Sequence, residues 1–368
     1  MNTIYSPYHL AYNTYSDLMV DALKKQGIRV EKLSYALKRP WYLLSTKIIN
    51  LNFYENFSKD FSTGKAYAVY MLKSLFLAFC NLAHIKIIYT MHNRKQHDSK
   101  FPVLNKKMEK KLVKKSSAIV SLCIEGKNIL SSKYGTDMLD KIVVIPHPAY
   151  TSVIQVQSDE EIQHVREKLG CKNKMLCVFL GAICPYKNIE MILKVAKECE
   201  GKDVEFLIAG NCQDKRYLDG LNSQCTSSNI KWDIRFVPED EANYYVQAAD
   251  LLLLPYNKES SLNSGTVFLA ASLGTTCVIP NIGSVQDFRH REALYTYDYE
   301  NEMDHYSNFR DSVGKAIRDY EMDGRCLKRI GGGLRSEMMR YHSVDCIGRR
   351  YAELYSKLET RKRFWKDY

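Results

Sequence analysis

The second half of the chain contains two groups of residues that could bind an anion. Lys187 stands at the start of a predicted helix, just beyond the apolar, strand-like run Met175–Leu180. Its ammonium and the amide hydrogens of the helix start would both attract a phosphate. Another helix opens at 263–266, where a glycine allows close backbone approach and neighbouring hydroxyls can donate hydrogen bonds. Together the two groups predict a diphosphate site, although a surface lysine and an ordinary capped helix are the alternatives.

A histidine in the first half directly follows a predicted strand. His92 comes after the run Ile85–Thr90, and its imidazole could bind a sugar hydroxyl or act as a base near neutral pH. His97 and Asp98 lie a few residues further on and could orient His92 or contact an acceptor, and a purely structural histidine is the alternative. The candidate acceptor-binding residues are Asn13, Tyr15, His92, Asn93 and His97, and the candidate catalytic residues are His92, Asp98 and Lys187.

Strand-like and helical segments alternate along the chain, which is typical of parallel sheets covered by helices on both faces. The segment Pro146-His147-Pro148 interrupts this alternation, because proline disfavours both elements. We therefore predict an α/β protein with two Rossmann-like domains, at 1–148 and 149–342, that face a cleft in the GT-B layout. Ligands of such sheets bind beyond the carboxyl ends of the strands, which is where the candidate residues lie.

Positive charge is concentrated in the first half. Residues 1–150 carry 23 Lys and Arg against 10 Asp and Glu, although the whole chain has a net charge of only +11. The densest stretch is the predicted helix 105–115, which contains six lysines. It is either a solvated helix surface or a patch for anionic lipid headgroups, each basic residue contributing about 1 kcal/mol there. No nucleic-acid-binding motif accompanies the charge.

The apolar segment Ala66–Ala83 is long enough to test as a membrane span. Lys73 interrupts its centre and a strand-like run follows at once, so we predict a buried helix of an α/β layer. Eleven scattered cysteines without a C-x-x-C pair favour a reduced, cytoplasmic protein without structural zinc. The sequence begins without the basic and apolar regions of a signal peptide.

Several segments together resemble the family 4-type GT-B glycosyltransferases, in particular a bacterial branch that builds capsular polysaccharides and exopolysaccharides. The order and spacing of these segments carry the resemblance more than any one of them does. The segments are Thr90-Met91-His92-Asn93 with His97-Asp98, Val144-Ile145-Pro146-His147, Gly181 with Pro185-Tyr186-Lys187-Asn188, Phe236-Val237-Pro238-Glu239-Asp240, Ala249-Asp250 with Leu254-Pro255-Tyr256, and Asn263-Ser264-Gly265.

The resemblance implies transfer of a sugar from a nucleoside-diphosphate sugar to a glycan or lipid-linked acceptor. No Asp-x-Asp pair is present, and Lys187 with a helix start could neutralise the diphosphate instead, so we predict no metal or other cofactor. The donor would bind the C-terminal domain and the acceptor the N-terminal domain, onto which the tail helix in 343–368 would pack back. A protein of this kind would be cytoplasmic, and its basic first half could contact the inner face of the plasma membrane. The implied donor-binding residues are Gly181, Lys187, Asn188, Pro238, Asn263, Ser264, Gly265 and Thr266.

This chain departs from the family pattern at three positions. The family carries two glutamates eight positions apart, where this sequence has Ser261 and Leu269. An arginine commonly precedes the lysine, and Cys184 stands there instead. A catalytically silent nucleotide-sugar-binding subunit is therefore the alternative function. A nucleotide-sugar 2-epimerase is a weaker alternative, because no cluster of acidic and histidine residues accompanies 264–265.

Overall fold

The computed structural model describes residues 1–11, 13–94 and 99–360. By its internal contacts the chain divides into two compact units. Unit 1 comprises Met1–Pro148 together with His342–Tyr368, and unit 2 comprises Ala149–Tyr341. Among the described residues, none of the helices combines the length and the hydropathy that crossing a bilayer requires.

Unit 1 is built on a parallel six-stranded sheet in the order β2-β1-β3-β4-β5-β6. Its strands are β1 (Asn2–Ser6), β2 (Arg29–Lys32), β3 (Ile48–Asn52), β4 (Lys86–Met91), β5 (Ala118–Ser121) and β6 (Ile142–Val144). Its helices are α1 (Tyr15–Lys25), α2 (Leu33–Leu37), α3 (Pro40–Ser45), α4 (Thr63–Leu82), α5 (Pro102–Lys115), α6 (Ile124–Tyr134) and α15 (Val344–Thr360). The strand order reverses direction at β1, as in a doubly wound sheet.

Unit 2 repeats this architecture with the strand order β12-β11-β10-β7-β8-β9. Its strands are β7 (Met175–Leu180), β8 (Val204–Ala209), β9 (Ile230–Asp233), β10 (Leu251–Leu253), β11 (Thr276–Pro280) and β12 (Tyr295–Tyr297). Its helices are α7 (Asp159–Lys168), α8 (Ile189–Glu198), α9 (Lys215–Gln224), α10 (Glu239–Ala248), α11 (Gly265–Leu273), α12 (Gly283–Gln286), α13 (Glu302–Met322) and α14 (Cys326–Tyr341). The pairing is parallel throughout, so the prediction of two parallel α/β sheets is confirmed.

The last described helix, α15, packs against α1 within unit 1. The two helices approach closely at Gly348, where an added β-carbon would lie 2.5 Å from the carbonyl oxygen of Ala22. The buried rings of Tyr351 and Tyr355 belong to the hydrophobic core of this unit, and the Tyr355 hydroxyl bonds to the Asn50 side chain. The C-terminal helix is thus an integral part of the first sheet's packing.

One prediction about burial is wrong. The segment Ala66–Ala83 was expected to form a buried helix, but α4 exposes most of its apolar side chains. Only Ala66, Leu77 and Cys80 of this helix are buried. The apolar composition of α4 gave no information about its exposure, because the helix is apolar around most of its circumference and one narrow face suffices to contact unit 1.

Candidate functional site

The two predicted anion-binding groups of unit 2 meet at one buried tyrosine. The Lys187 ammonium nitrogen lies 3.3 Å from the ring centroid of Tyr256, a close cation–π contact. The hydroxyl of the same tyrosine lies 3.5 Å from Ser264 Oγ. Tyr256 is fully buried, so its ring is a fixed spacer between the ammonium and the first turn of α11.

The loop that carries Lys187 is held on both sides. Residues 185–187 form a short 3-10 turn, and Asn188 then adopts a left-handed conformation (φ 51°, ψ 49°) that asparagine tolerates better than most residues. The Asn188 side-chain amide donates to the Pro255 carbonyl at 2.7 Å, and the Asn257 amide donates to the Tyr186 carbonyl at 2.9 Å. Asn188 was predicted to bind the donor; in this structure its amide ties the Lys187 turn to the segment that follows β10.

The start of α11 combines small residues with hydroxyl groups. Ser264 occupies the N-cap position, but its hydroxyl makes no capping hydrogen bond. A β-carbon on Gly181, which has a φ of +141°, would lie 4.0 Å from Thr266 Oγ1, so the turn after β7 faces this helix start. A β-carbon on Gly265 would lie 2.9 Å from the Tyr150 hydroxyl. Gly181 of the turn after β7 and the Tyr150 hydroxyl therefore both lie beside the first turn of α11.

The remaining predicted donor-binding residues lie at or beside this edge of the sheet. Asn263 is half-buried and precedes the α11 cap, and Pro238 is the N-cap residue of α10. Burial raises the pKa of the Tyr150 hydroxyl, and the negative charge of Glu239 adds to this effect. Since Tyr150 also borders Gly265, the starts of α10 and α11 are close neighbours.

Tyr150 and Tyr256 were not among the residues predicted from sequence. Tyr150 lies two residues after Pro148, beside the segment that interrupts the predicted alternation, and Tyr256 directly follows Pro255 in one of the segments that carry the family resemblance. With 26 tyrosines in the chain, residue type alone did not single these out. Their position beside an anion-binding helix start is visible only in the fold.

In unit 1, His92 lies at the carboxyl end of the sheet, as predicted, but it is buried. Its Nε2 is 3.0 Å from Asn52 Oδ1, and because an amide oxygen only accepts, Nε2 carries the proton. The ring stacks on Phe53 at 3.9 Å between centroids, and the Tyr15 ring meets it edge-on at 4.8 Å. The imidazole is therefore fixed in position and in tautomer.

This environment disfavours the predicted role of His92 as a base. Burial, with a smaller contribution from the nearby His147, lowers the pKa of His92 to about 3. A general base works best when its pKa is near the working pH. The neutral ring is better suited to orienting a hydroxyl group than to removing its proton.

The other residues of unit 1 that were predicted to bind the acceptor or to act in catalysis fall into three groups. Asn13 Oδ1 accepts a hydrogen bond from the Tyr15 amide at 3.0 Å, which supports the start of α1, and Tyr15 is itself buried against His92 and His147. Asn93 is half-buried directly after His92. His97 and Asp98 lie outside the described residues. In the described part of the chain, no group of three His, Cys, Asp or Glu is arranged to hold a metal ion, and none of the eleven cysteines there forms a disulfide.

The buried His92 predicts a pH dependence of stability. Its pKa of about 3 in the folded protein is below the unfolded value of about 6.5, so the unfolded chain binds one more proton between these limits. The free energy of unfolding must therefore fall as the pH falls through this window, by about 1.4 kcal/mol per pH unit for this residue. When the free energy of unfolding is measured with urea between pH 6 and pH 4, its slope against pH should be correspondingly shallower for a His92→Gln variant than for the wild type.

The exposed His84 in the same unit provides the control for this measurement. A His84→Gln variant leaves the buried rings unchanged, so its pH slope should equal that of the wild type. Equal slopes for wild type and the His92 variant would contradict a neutral, buried His92.

Known proteins resemble both the sequence and the fold. Residues 161–290 match the family model described as "Glycosyl transferases group 1". A GDP-mannose:glycolipid 4-beta-D-mannosyltransferase of Xanthomonas campestris pv. campestris is 30% identical over 101 residues, which make up 27% of this chain and 28% of that relative. The matched region thus spans less than a third of the curated relative's length. The residues that match the family model include Lys187 and Ser264.

Solved structures match almost the entire chain at low identity. Anabaena HepE in complex with UDP has a TM-score of 0.72 and 12% identity, with 97% of this chain and 99% of HepE covered. WaaG, a glycosyltransferase involved in lipopolysaccharide biosynthesis, has a TM-score of 0.65 and 10% identity, with 97% and 100% covered. At these identities the likeness concerns the fold, which is GT-B, as predicted.

Proposed function

We propose that this protein is a glycosyltransferase that moves a sugar from a nucleoside-diphosphate sugar to a glycan or lipid-linked acceptor in cell-surface polysaccharide synthesis. One observation carries the proposal: the Lys187 ammonium and the start of α11 are joined through the Tyr256 ring. A cation held beside the first-turn amides of a helix suits the diphosphate of such a donor. The enzyme would act in the cytoplasm, at the inner face of the plasma membrane.

The chemical role of this arrangement follows from the leaving group. The acceptor hydroxyl oxygen bonds to the anomeric carbon while the bond from that carbon to the diphosphate oxygen breaks, so negative charge grows on the leaving diphosphate, which can take up the hydroxyl proton. Lys187 and the first amides of α11 stabilise that charge from fixed positions, which lowers the barrier without reorganisation at the moment of reaction. We propose that these groups act without a metal ion, and that Gly181 and Thr266 shape the space around the phosphates.

The acceptor would bind unit 1. There His92 is a neutral ring whose proton is committed to Asn52, so its role in the proposal is to hold a sugar hydroxyl. Glycolipid acceptors and GDP-mannose appear in the name of the Xanthomonas relative, and UDP is bound in the HepE structure. These names support a donor that carries a hexose on UDP or GDP, and they support a lipid-linked acceptor.

A second candidate function is a silent nucleotide-sugar-binding subunit, which three substitutions favour. The positions of the two family glutamates hold Ser261 and Leu269, both buried. At Cys184 the thiol lies 3.6 Å from the Ala182 carbonyl, so this position adds no cation beside Lys187. Donor binding without turnover is what this alternative predicts.

The proposal predicts that UDP or GDP stabilises the protein against heat. Because either nucleotide would bind only the folded chain, a concentration of 100 times Kd should add about 2.7 kcal/mol of stability. A thermal-shift series with UDP, GDP, AMP and inorganic phosphate, followed by the matching nucleotide sugars, measures this and identifies the base. AMP and inorganic phosphate are the controls, because neither has a diphosphate linked to a nucleoside.

A transfer assay with the stabilising donor and a lipid-linked glycan then separates the candidates. Sugar transfer that continues in EDTA supports a metal-independent enzyme. Donor binding without transfer to any lipid-linked or free glycan supports the silent subunit. No stabilisation by any nucleoside diphosphate would contradict both candidates.

A further inference from the structure

The outer face of α4 is an exposed apolar stripe. Its large apolar side chains recur at helical spacing, so they share one side of the helix. The exposed fraction reaches 65% for Leu72, 62% for Leu75 and 81% for Leu82. We call this set the α4 stripe; it consists of Tyr67, Met71, Leu72, Leu75, Phe79 and Leu82. Contiguous exposed apolar side chains of this kind mark interaction surfaces.

The charge at the centre of α4 does not interrupt this stripe. Lys73 turns inward, where its ammonium donates to the carbonyl oxygens of Tyr54 at 2.7 Å and Asn56 at 2.8 Å. It also lies 4.5 Å from the Phe57 ring centroid. The lysine that argued against a membrane span in the sequence is therefore satisfied within unit 1 and does not lie in the α4 stripe.

A row of lysines runs beside the stripe on α5. Lys111 fixes the two helices together, since its ammonium donates to Ser74 Oγ at 2.8 Å and lies 4.5 Å from the Tyr70 ring centroid. The single acidic residue of α5, Glu109, pairs with Lys133 at 2.7 Å. The other five lysines of this helix are exposed; we call them the α5 row, and they are Lys106, Lys107, Lys110, Lys114 and Lys115.

We propose that the α4 stripe and the α5 row together dock on an anionic phospholipid bilayer. Apolar side chains on one helix face enter the boundary between headgroups and acyl chains, and the adjacent lysines bind the headgroup phosphates. The surface provides both attractions side by side. Neither the α4 stripe nor the α5 row spans the membrane, so the proposed contact is peripheral and reversible.

Charge complementarity favours lipid over a second copy of this chain. In a two-fold symmetric dimer the same surface would face itself, which would bring two rows of lysines together, and the one carboxylate of α4 and α5, Glu109, is already paired with Lys133. An anionic bilayer supplies the opposite charge and an apolar layer for the α4 stripe. Docking of this kind would also bring unit 1 to a lipid-linked acceptor, although the surface does not depend on sugar transfer.

Vesicle flotation with the full chain tests this docking. Vesicles of phosphatidylcholine that contain 30% of the anionic lipid phosphatidylglycerol should carry the protein to the top of the gradient. Vesicles of phosphatidylcholine alone should carry little. Because each lysine near an anionic surface contributes about 1 kcal/mol, a triple Lys107→Gln, Lys110→Gln and Lys114→Gln variant should partition about 100-fold more weakly. A second triple variant, Leu72→Gln, Leu75→Gln and Leu82→Gln, should also lose binding, but by removing apolar contact.

Matched controls are available on exposed positions of unit 2. The lysine control replaces Lys168, Lys202 and Lys215 with Gln, and the apolar control replaces Met303, Met322 and Met339 with Gln. Both controls should bind vesicles as the wild type does. Because the stripe and row variants act on different helices, each tests the surface even when the other fails to fold.

Three results would overturn the docking proposal. These are a wild type that stays at the bottom of the gradient, equal losses in the test and control variants, and a wild-type dimer that the leucine variant converts to monomer. Stabilisation by nucleoside diphosphate, measured on the same variants, should be unchanged. That measurement separates failure of membrane docking from failure of the proposed enzymatic function.

Discussion

A Lys187→Ala variant should lose sugar transfer and most of the stabilisation by a nucleoside diphosphate. Lys187 is the cation of its turn, and its ammonium is held over the Tyr256 ring beside the start of α11. Removing one fixed donor to a developing negative charge typically reduces kcat by about 10² to 10³. We expect a loss of that order in kcat/KM, because the charge on the diphosphate is largest in the transition state.

Lys194 provides the matched control for this variant. Lys194 lies in α8, the helix that directly follows the Lys187 turn, and it is exposed. Its ammonium also lies over a tyrosine ring, 5.3 Å from the centroid of Tyr306. A Lys194→Ala variant should therefore keep both transfer and the thermal shift. Undiminished donor binding and turnover in the Lys187 variant would remove the basis of the proposed site.

The sequence was sufficient to predict that Lys187 and Ser264 follow strands of one parallel sheet. Each residue comes after an apolar run, and parallel sheets collect such residues at one edge. The sequence could not show that β7 and β10 are adjacent, because strand order depends on long-range pairing. Nor could it identify Tyr256 as the ring between them, since that contact depends on how two loops fold over each other.

The same distinction applies to His92 in unit 1. Its position after β4 could be predicted from the apolar run that precedes it. Its burial could not, because the residues that enclose it, Asn52 and Phe53, come from the end of β3, forty residues earlier in the chain. The pKa that decides between base and hydrogen-bond partner is set by that enclosure. The chemical role of a residue was thus harder to predict than its place in the fold.

A Gly331→Ala variant should strongly destabilise unit 2. Gly331 lies in α14, and an added β-carbon would be 2.0 Å from the Gly274 carbonyl oxygen and 2.6 Å from its carbon. Gly274 ends α11 in the left-handed conformation (φ +74°), so the obstacle is backbone with little freedom to move. Overpacking typically costs about 1–3 kcal/mol, and we expect the upper part of that range or more.

The neighbouring Gly332 turns this prediction into a matched pair. An added β-carbon at Gly332 meets nothing within 4 Å in the same helix, and alanine is favoured over glycine in a helix by about 1 kcal/mol. Urea unfolding followed by circular dichroism should therefore move in opposite directions for Gly331→Ala and Gly332→Ala. Because α14 packs against α11, the Gly331 variant should also bind the nucleoside diphosphate more weakly. Similar midpoints for the two variants would show that α14 and α11 do not approach as closely as this structure has them.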